Sequence, residues 1–190
     1  NNKRDKFGLI DKKGNWMLKA EYDAILPKDS FFVVNKGGMQ SVLTENLKQI
    51  LPFMEADLWI SGNSITATMK DHTLRKYNLQ GELIDDFLIS NVDRLLYDTD
   101  EIRYTTAKNY DDEGNLTGET AEAEPTPYQK TANCKKYEAD IGWYGLMSPS
   151  GKVITPPRYC DITAIGYDLY LCKTDDIRGE VLNGKGVRVR

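Results

Sequence analysis

The sequence predicts an all-β protein built from tandem antiparallel β-hairpin repeats of about 34 residues. Three observations support this class. Two distant segments match each other without a gap, turns recur at regular spacing, and the apolar runs are too short and irregular for amphipathic helices. Because propeller blades usually carry four strands over roughly 40 residues or more, the shorter unit favours an open array over propeller-like closure.

The internal match aligns residues 7–23, FGLIDKKGNWMLKAEYD, with the segment that starts at residue 144, YGLMSPSGKVITPPRYCD, at an offset of 137. Weaker copies lie between these two segments, and a sixth, partial copy occupies residues 178–190. One such unit cannot bury its apolar face alone, so the units must pack against their neighbours. The turns that separate the two strands of each hairpin are 33 to 37 residues apart, at Gly14, Leu47, Gly81, Gly114 and Gly151.

Each unit is predicted to contain a strand, a tight turn, a return strand and a further strand. In the first unit these are residues 7–11, the glycine-bearing turn 12–15, residues 16–18 and residues 31–34. Residues 43–60 are not assigned to a helix, because a proline interrupts them and their apolar positions lack a 3.6-residue period.

These segments resemble the WG-repeat family of bacterial proteins, whose units carry an aromatic-Gly-Leu-Ile strand, a glycine turn and a later tyrosine. The first copy matches through Phe7, Gly8, Leu9, Ile10, Asp11, Gly14, Trp16, Leu18, Tyr22, Asp23 and Ile25. The second matches through Tyr144, Gly145, Leu146, Gly151, Val153, Ile154, Pro156, Tyr159, Asp161 and Ile162. The resemblance implies β-rich repeat arrays in exported or envelope-associated bacterial proteins, with no general enzymatic activity. Residues 110–118, YDDEGNLTG, also resemble one copy of the YD repeat of large bacterial toxin shells.

Length and charge bound the remaining possibilities. The 190 residues predict a single β-repeat domain over residues 1–190, with residues 98–140 as an acidic hairpin or loop insertion. Residues 98–124 alone hold nine acidic and two basic side chains, whereas the whole chain has a net charge of −4. The near-neutral balance argues against nucleic acid as a partner, and no apolar run reaches the ~20 residues that span a bilayer. The insertion is either a solvated surface loop or an arm that contacts a partner.

No motif in the sequence predicts an enzyme, a cofactor or a metal site. Residues 179–186, GEVLNGKG, lack the final Ser or Thr of a phosphate-binding loop and precede a strand instead of a helix. The only histidine, His72, lies in a polar turn sequence, and the adjacent acids Asp85-Asp86 and Asp175-Asp176 would point to opposite faces of a strand. The three cysteines lack C-x-x-C spacing, and Cys160 and Cys172 are interpreted as small buried hydrophobes.

The aromatic residues carry the one remaining binding signal. Trp59, Trp143 and Tyr144 are the candidate ligand-binding residues, since exposed Tyr and Trp serve both protein and sugar recognition. Trp16, Tyr22 and Tyr159 occupy repeat positions and are expected in the core. We therefore predict a non-catalytic protein-interaction scaffold of an exported or envelope protein. The alternatives are a carbohydrate-binding module that takes a polysaccharide through exposed aromatics and, least favoured, a glycoside hydrolase.

Overall fold

The structure is a computed structural model that describes residues 5–124 and 126–189. These residues form eighteen strands and no helix, in antiparallel sheets none of which closes into a barrel, and the predicted fold class is confirmed. None of the described residues lies in a helix that could cross a membrane. The chain divides into two compact units, residues 1–90 with 138–141 and residues 91–137 with 142–190. The expectation of a single domain stays a prediction.

The first unit consists of one hairpin and two four-stranded sheets. The hairpin pairs β1 (Phe7–Ile10) with β2 (Trp16–Tyr22). The first sheet runs in chain order through β3 (Ala24–Lys28), β4 (Phe31–Lys36), β5 (Met39–Thr44) and β6 (Gln49–Met54). The second sheet follows in the same way with β7 (Ala56–Ser61), β8 (Ser64–Met69), β9 (Leu74–Asn78) and β10 (Leu83–Leu88).

Alternating side chains build the core of this unit. Burial along β7 follows a strict inward-outward alternation, as expected for strands with one buried face. The largest cluster joins residues of both sheets: Val33, Val42, Leu51, Ala56, Leu58, Ile60, Ile65, Ala67 and Tyr77. Strand β3, which contains Pro27, was not predicted; the prediction placed the third strand of the first unit at residues 31–34. As an edge strand, β3 tolerates a residue without an N–H.

The second unit contains three sheets. The first is ordered β11-β14-β15, from β11 (Asn91–Asp98), β14 (Gln129–Glu138) and β15 (Tyr144–Met147). The second pairs β12 (Tyr104–Tyr110) with β13 (Leu116–Ala123). The third is ordered β16-β17-β18, from β16 (Asp161–Gly166), β17 (Leu169–Lys173) and β18 (Gly179–Asn183). Its core cluster consists of Leu95, Ala132, Cys134, Leu146, Tyr159, Ile162, Ala164, Tyr170, Cys172 and Leu182.

The two strong repeats have the same strand register. Phe7 pairs with Tyr22 and Ile10 with Trp16 in the first copy. The residues at offset 137 pair in the same way, Tyr144 with Tyr159 and Met147 with Val153. The sequence match is therefore a match of backbone pairing.

One turn geometry recurs at the five predicted turn positions and at Gly186 in the partial sixth copy. In each turn the amide at the glycine position donates to the carbonyl three residues earlier, as from Gly14 to Asp11 at 3.0 Å. The residue at this position has positive φ in every copy: Gly14, Leu47, Gly81, Gly114, Gly151 and Gly186. Leu47, with φ of 63°, adopts the left-handed conformation that side chains with a Cβ disfavour. The divergent copies thus keep the turn even where they have lost the glycine.

The glycine in the first strand of each strong repeat lies beneath an aromatic ring. A Cβ built on Gly145 would lie 2.5 Å from three atoms of the Tyr137 ring and hydroxyl, and one built on Gly8 would lie 2.7 Å from Cζ3 of Trp16. Tyr137 is fully buried, and its hydroxyl donates to the carbonyl of Thr155 at 2.6 Å. Gly145 is required because it lets a ring lie directly on the backbone, whereas at Gly8 the carbonyl oxygen of Leu18, 2.5 Å from the added Cβ, approaches even more closely than the Trp16 ring.

Two of the three repeat aromatics expected in the core are buried, Tyr22 and Tyr159. The expectation for Trp16 is wrong, since 62% of this residue is exposed. Its indole lies over Gly8 within its own hairpin instead of between two sheets. The corresponding position in the second copy is Val153, which is too small to reach across in this way.

Candidate functional site

The acidic segment forms a hairpin that is exposed along its length. Strands β12 and β13 pair only with each other among the described strands, and every residue of β13 is exposed. The three hydrophobic clusters of the described residues contain no residue of either strand. An isolated two-stranded hairpin is marginally stable in water, so this arm must be held by its own side chains and by its base.

The tip of the hairpin is fixed by Asp111. Its carboxylate accepts the amide of Asn115 at 2.7 Å and the side-chain amide of Asn115 at 3.2 Å. These hydrogen bonds, chiefly that from the backbone amide, hold the pKa of the Asp111 carboxyl below its ordinary value. Asp111 is thus a structural anion, and the neighbouring Asp112 and Glu113 are the exposed charges that the tip presents.

The base of the hairpin is clasped by Tyr128. The Arg103 guanidinium lies 3.3 Å from the centre of the Tyr128 ring, and Thr99 donates through its hydroxyl to the Tyr128 carbonyl at 2.7 Å. A salt bridge of 2.7 Å joins Lys130 and Glu101 on the same side, and it lowers the pKa of Glu101 and raises that of Lys130. The base of the arm is therefore fixed by these contacts while its strands stay exposed.

The two faces of the hairpin differ in chemistry. Side chains alternate across a strand, so Tyr104 and Tyr110 share one face, which also carries the Lys108–Glu119 cross-strand pair. Leu116, the cross-strand partner of Tyr110, is exposed as well, as are both tyrosines. We call Tyr104, Tyr110 and Leu116 the aromatic face. The opposite face is polar, with Asn109 donating to Thr120 at 3.1 Å.

The sequence analysis did not select the aromatic face. The signal was present, since two tyrosines six residues apart fall on one side of a strand. It was overlooked because the acidic segment was treated by its charge alone.

The predicted ligand-binding residues are distributed over both units. Trp59 is in the first unit on β7, whereas Trp143 and Tyr144 are in the second. Trp59 is 69% exposed and stands opposite Thr66, which in turn pairs with Lys76. Its indole is thus an aromatic platform on a polar sheet face.

Trp143 and Tyr144 are both half-buried. Tyr144 packs against the core of the second unit, and Nζ of Lys136 lies 4.6 Å from its ring centre. Tyr144 therefore has an intramolecular role, and Trp59 is the candidate with the most accessible ring.

The hydroxyl of the repeat tyrosine Tyr159 forms hydrogen bonds with two charged side chains of the second unit. Its hydroxyl donates to Oε1 of Glu180 at 2.7 Å and accepts from Nη2 of Arg158 at 2.8 Å. Burial, reinforced by the Glu180 carboxylate, raises the pKa of Tyr159 to about 12. The hydroxyl therefore stays protonated at neutral pH and acts as a buried junction between two charged side chains.

The other chemically reactive residue types occupy structural positions. Burial raises the pKa of the Cys172 thiol to about 12 and also raises that of Cys134, which makes both thiols poor nucleophiles. His72 occupies a turn with φ of 65°, and its Nδ1 lies 3.6 Å from a carboxylate oxygen of Asp140. Residues 179–186 comprise the whole of β18 and the turn that follows it, with Gly186 at positive φ, as expected for a terminal hairpin.

Comparison with known proteins finds a family model that matches two segments of the chain. The family model described as WG containing repeat matches residues 7–39 and residues 144–176. No curated protein matches the chain. Among solved structures, the computationally designed Ika8 protein is 18% identical over 92% of this chain and 64% of that chain, with a TM-score of 0.28.

Proposed function

Because residues 7–39 and 144–176 are WG-containing repeats, we propose that this β-repeat protein is a non-catalytic scaffold that binds another protein through its acidic hairpin. The observation that carries the proposal is a hairpin with both faces exposed, an aromatic face and a charged tip, held at its base by Tyr128. Exposed tyrosines are typical anchors of protein interfaces, because they bury large area at a low cost in side-chain entropy.

The charge of the arm defines the partner. Residues 98–124 carry a net charge of −7, and Asp112 and Glu113 at the tip are solvent-exposed. Such a field steers association with a surface of opposite sign. The partner we propose is a protein with a basic surface beside an apolar recess that accepts a tyrosine side chain.

The proposed location is the cell envelope or exterior of a bacterium, and the support for it is the repeat family alone. The proposed lack of catalysis is supported by the roles of the shifted carboxylates. The pKa values of Asp11, Asp71, Asp111 and Asp175 are lowered by hydrogen bonds within their own turns. These groups are ionised turn-stabilising residues and not acids tuned for proton transfer.

The test uses a shortened hairpin in the otherwise intact chain. Residues 106–121 are replaced by Asn-Gly, which keeps the Tyr104–Ala123 pair and the clasp at Tyr128. Both proteins are immobilised and exposed to envelope extract of the source cells, and captured proteins are quantified by mass spectrometry. We expect one stoichiometric basic protein that the shortened variant loses by more than tenfold. Equal capture by both proteins would refute the proposal.

A matched pair of variants separates charge from shape. The double substitution Asp112→Asn with Glu113→Gln removes the exposed tip charge and leaves Asp111 in its turn. We expect this variant to bind more slowly and with a weaker salt dependence, because rim charges act mainly on the association rate. The control, Asp85→Asn with Asp86→Asn, removes the same charge from β10, far from the hairpin in sequence, and is expected to bind as the wild type does.

A second candidate function, carbohydrate binding, is supported by Trp59. Its exposed indole with hydroxyl and amine neighbours, Thr66 and Lys76, has the chemistry of a sugar-stacking platform. A glycan array with wild type and Trp59→Ala tests it. Signals that disappear in Trp59→Ala and persist in the shortened hairpin would favour this function over the scaffold.

A further inference from the structure

The two strong repeats differ in what lies beside their first strand. In the second copy, β15 has β14 as its neighbour in the sheet. In the first copy, β1 pairs only with β2 among the described residues. The other edge of β1 is therefore in the position that β14 takes beside β15.

The side chains of the first copy are exposed where those of the second are covered. Ile10 is 59% exposed, whereas Met147, which is equivalent at offset 137, is 5% exposed. Phe7 is exposed, whereas the equivalent Tyr144 is half-buried and has Lys136 of β14 above its ring. Together with Trp16, these residues leave an apolar surface on one hairpin, which in soluble proteins marks an interaction site.

We propose that the free edge of β1 accepts an extended strand from another protein chain. The strand resembles β14: it adds backbone hydrogen bonds at the edge, places a basic side chain over Phe7, and stacks an aromatic ring on Trp16. The internal repeat specifies this occupant. In the second copy, Lys136 of β14 lies over the Tyr144 ring, and Tyr137 of β14 lies on Gly145.

In the first copy, an incoming aromatic ring cannot lie where Tyr137 lies in the second copy. Tyr137 lies directly on Gly145, but the corresponding space over Gly8 already holds the indole of Trp16. An incoming ring therefore stacks on the outer surface of Trp16, which is open to solvent. This surface and the acidic hairpin have no residue in common, so the strand site does not depend on the scaffold proposal.

The probe is a peptide with the sequence of residues 129–138, with Cys134→Ser to prevent disulfide formation. The control peptide carries in addition Lys136→Pro, which removes an amide and the basic group from the centre of the strand. Each peptide is added at 1 mM to the full chain, and amide hydrogen exchange is measured at Phe7–Ile10.

The expected result is a slowing of exchange at Phe7–Ile10 by about fivefold with the first peptide, as mass action gives for a dissociation constant of roughly 0.2 mM. The control peptide should leave exchange unchanged, and Phe7→Ser should abolish the protection. The protein with the shortened hairpin should respond as the full chain does, which separates this site from the acidic hairpin. Unchanged exchange with the first peptide, or equal protection by both peptides, would overturn the proposal.

Discussion

The contact between Gly145 and Tyr137 predicts a large loss of stability from the smallest possible substitution. In Gly145→Ala the new Cβ would lie 2.5 Å from Cε1, Cζ and the hydroxyl oxygen of Tyr137. An ordinary contact needs about 3.4 Å or more, so the ring must move by nearly 1 Å. Tyr137 is fully buried, and that displacement also disturbs its 2.6 Å hydrogen bond to Thr155.

The magnitude follows from these two effects. Overpacking in a dense core costs about 1–3 kcal/mol, and weakening a buried hydrogen bond costs about 1 kcal/mol more. We therefore expect Gly145→Ala to lower the free energy of unfolding of the second unit by about 2–4 kcal/mol. The matched control is Gly118→Ala, since Gly118 lies in exposed β13 with nothing within 4 Å of the added Cβ. It should change stability by less than about 0.5 kcal/mol, or stabilise slightly.

The assay is urea unfolding followed by tryptophan fluorescence. Trp143 is in the second unit, whereas Trp16 and Trp59 are in the first, so replacing those two by Phe isolates the signal of the second unit. A double-mutant cycle identifies the cause, because in a Tyr137→Ala background Gly145→Ala should cost less than about 0.5 kcal/mol. The reasoning is refuted if Gly145→Ala is as stable as wild type, or if its cost persists without the Tyr137 ring.

Three further predictions concern the turns and the buried tyrosine. Leu47→Gly should stabilise the first unit by about 1 kcal/mol in urea unfolding. The reason is that the substitution relieves a left-handed conformation (φ 63°) at a position where the other copies have glycine. A destabilised protein would show that burial of the leucine side chain outweighs the relief of backbone strain. Since the folded pKa of Tyr159, about 12, exceeds the unfolded value of 10.0, its stabilising contribution is complete below pH 10 and is lost as pH rises towards 12. Between pH 8 and pH 11 the second unit should lose about 1.4 kcal/mol more in wild type than in Tyr159→Phe, and equal losses would contradict the assignment. Asp111→Ala should speed amide exchange at the hairpin tip with no change in global unfolding. Asp111→Asn should preserve the slow exchange, because its side-chain amide oxygen can still accept a hydrogen bond from the backbone amide of Asn115.

The sequence was most informative where backbone geometry restricts residue choice. Positive φ is required at the recurring turn of each repeat, so glycine spacing located these turns, and Leu47 could be placed by its phase alone. The turn at His72, which has the same hydrogen bond and a φ of 65°, lies outside that spacing and was not located by it. The offset of 137 predicted which positions of the two copies are equivalent, and the structure pairs these positions alike, Phe7 with Tyr22 and Tyr144 with Tyr159, because register depends on the turn that both copies share. Strand β3 was not predicted, and its tolerance of Pro27 follows from its edge position, which is a property of the whole sheet.

The burial of individual aromatics was harder to predict. Tyr22 and Tyr159 were expected in the core and are buried, but Trp16 is exposed, since its indole lies over Gly8 on the surface of one hairpin. Whether a ring packs inside a unit or on its surface depends on which strand lies next to it. The residues around the ring do not show, in a single sequence, which strand that will be. The clasp between Arg103 and Tyr128 is of the same kind, because it joins residues 25 positions apart.

The most direct test of the scaffold proposal is photocrosslinking from the hairpin inside living cells. Benzoylphenylalanine replaces Tyr110 on the aromatic face or, as the control, Asn109 on the polar face, and both positions are exposed. The proposal predicts a single basic protein crosslinked from position 110, at least fivefold more than from position 109, with a reduced yield when Asp112 and Glu113 are neutralised. Equal crosslinking from both faces, or none from position 110, would contradict it.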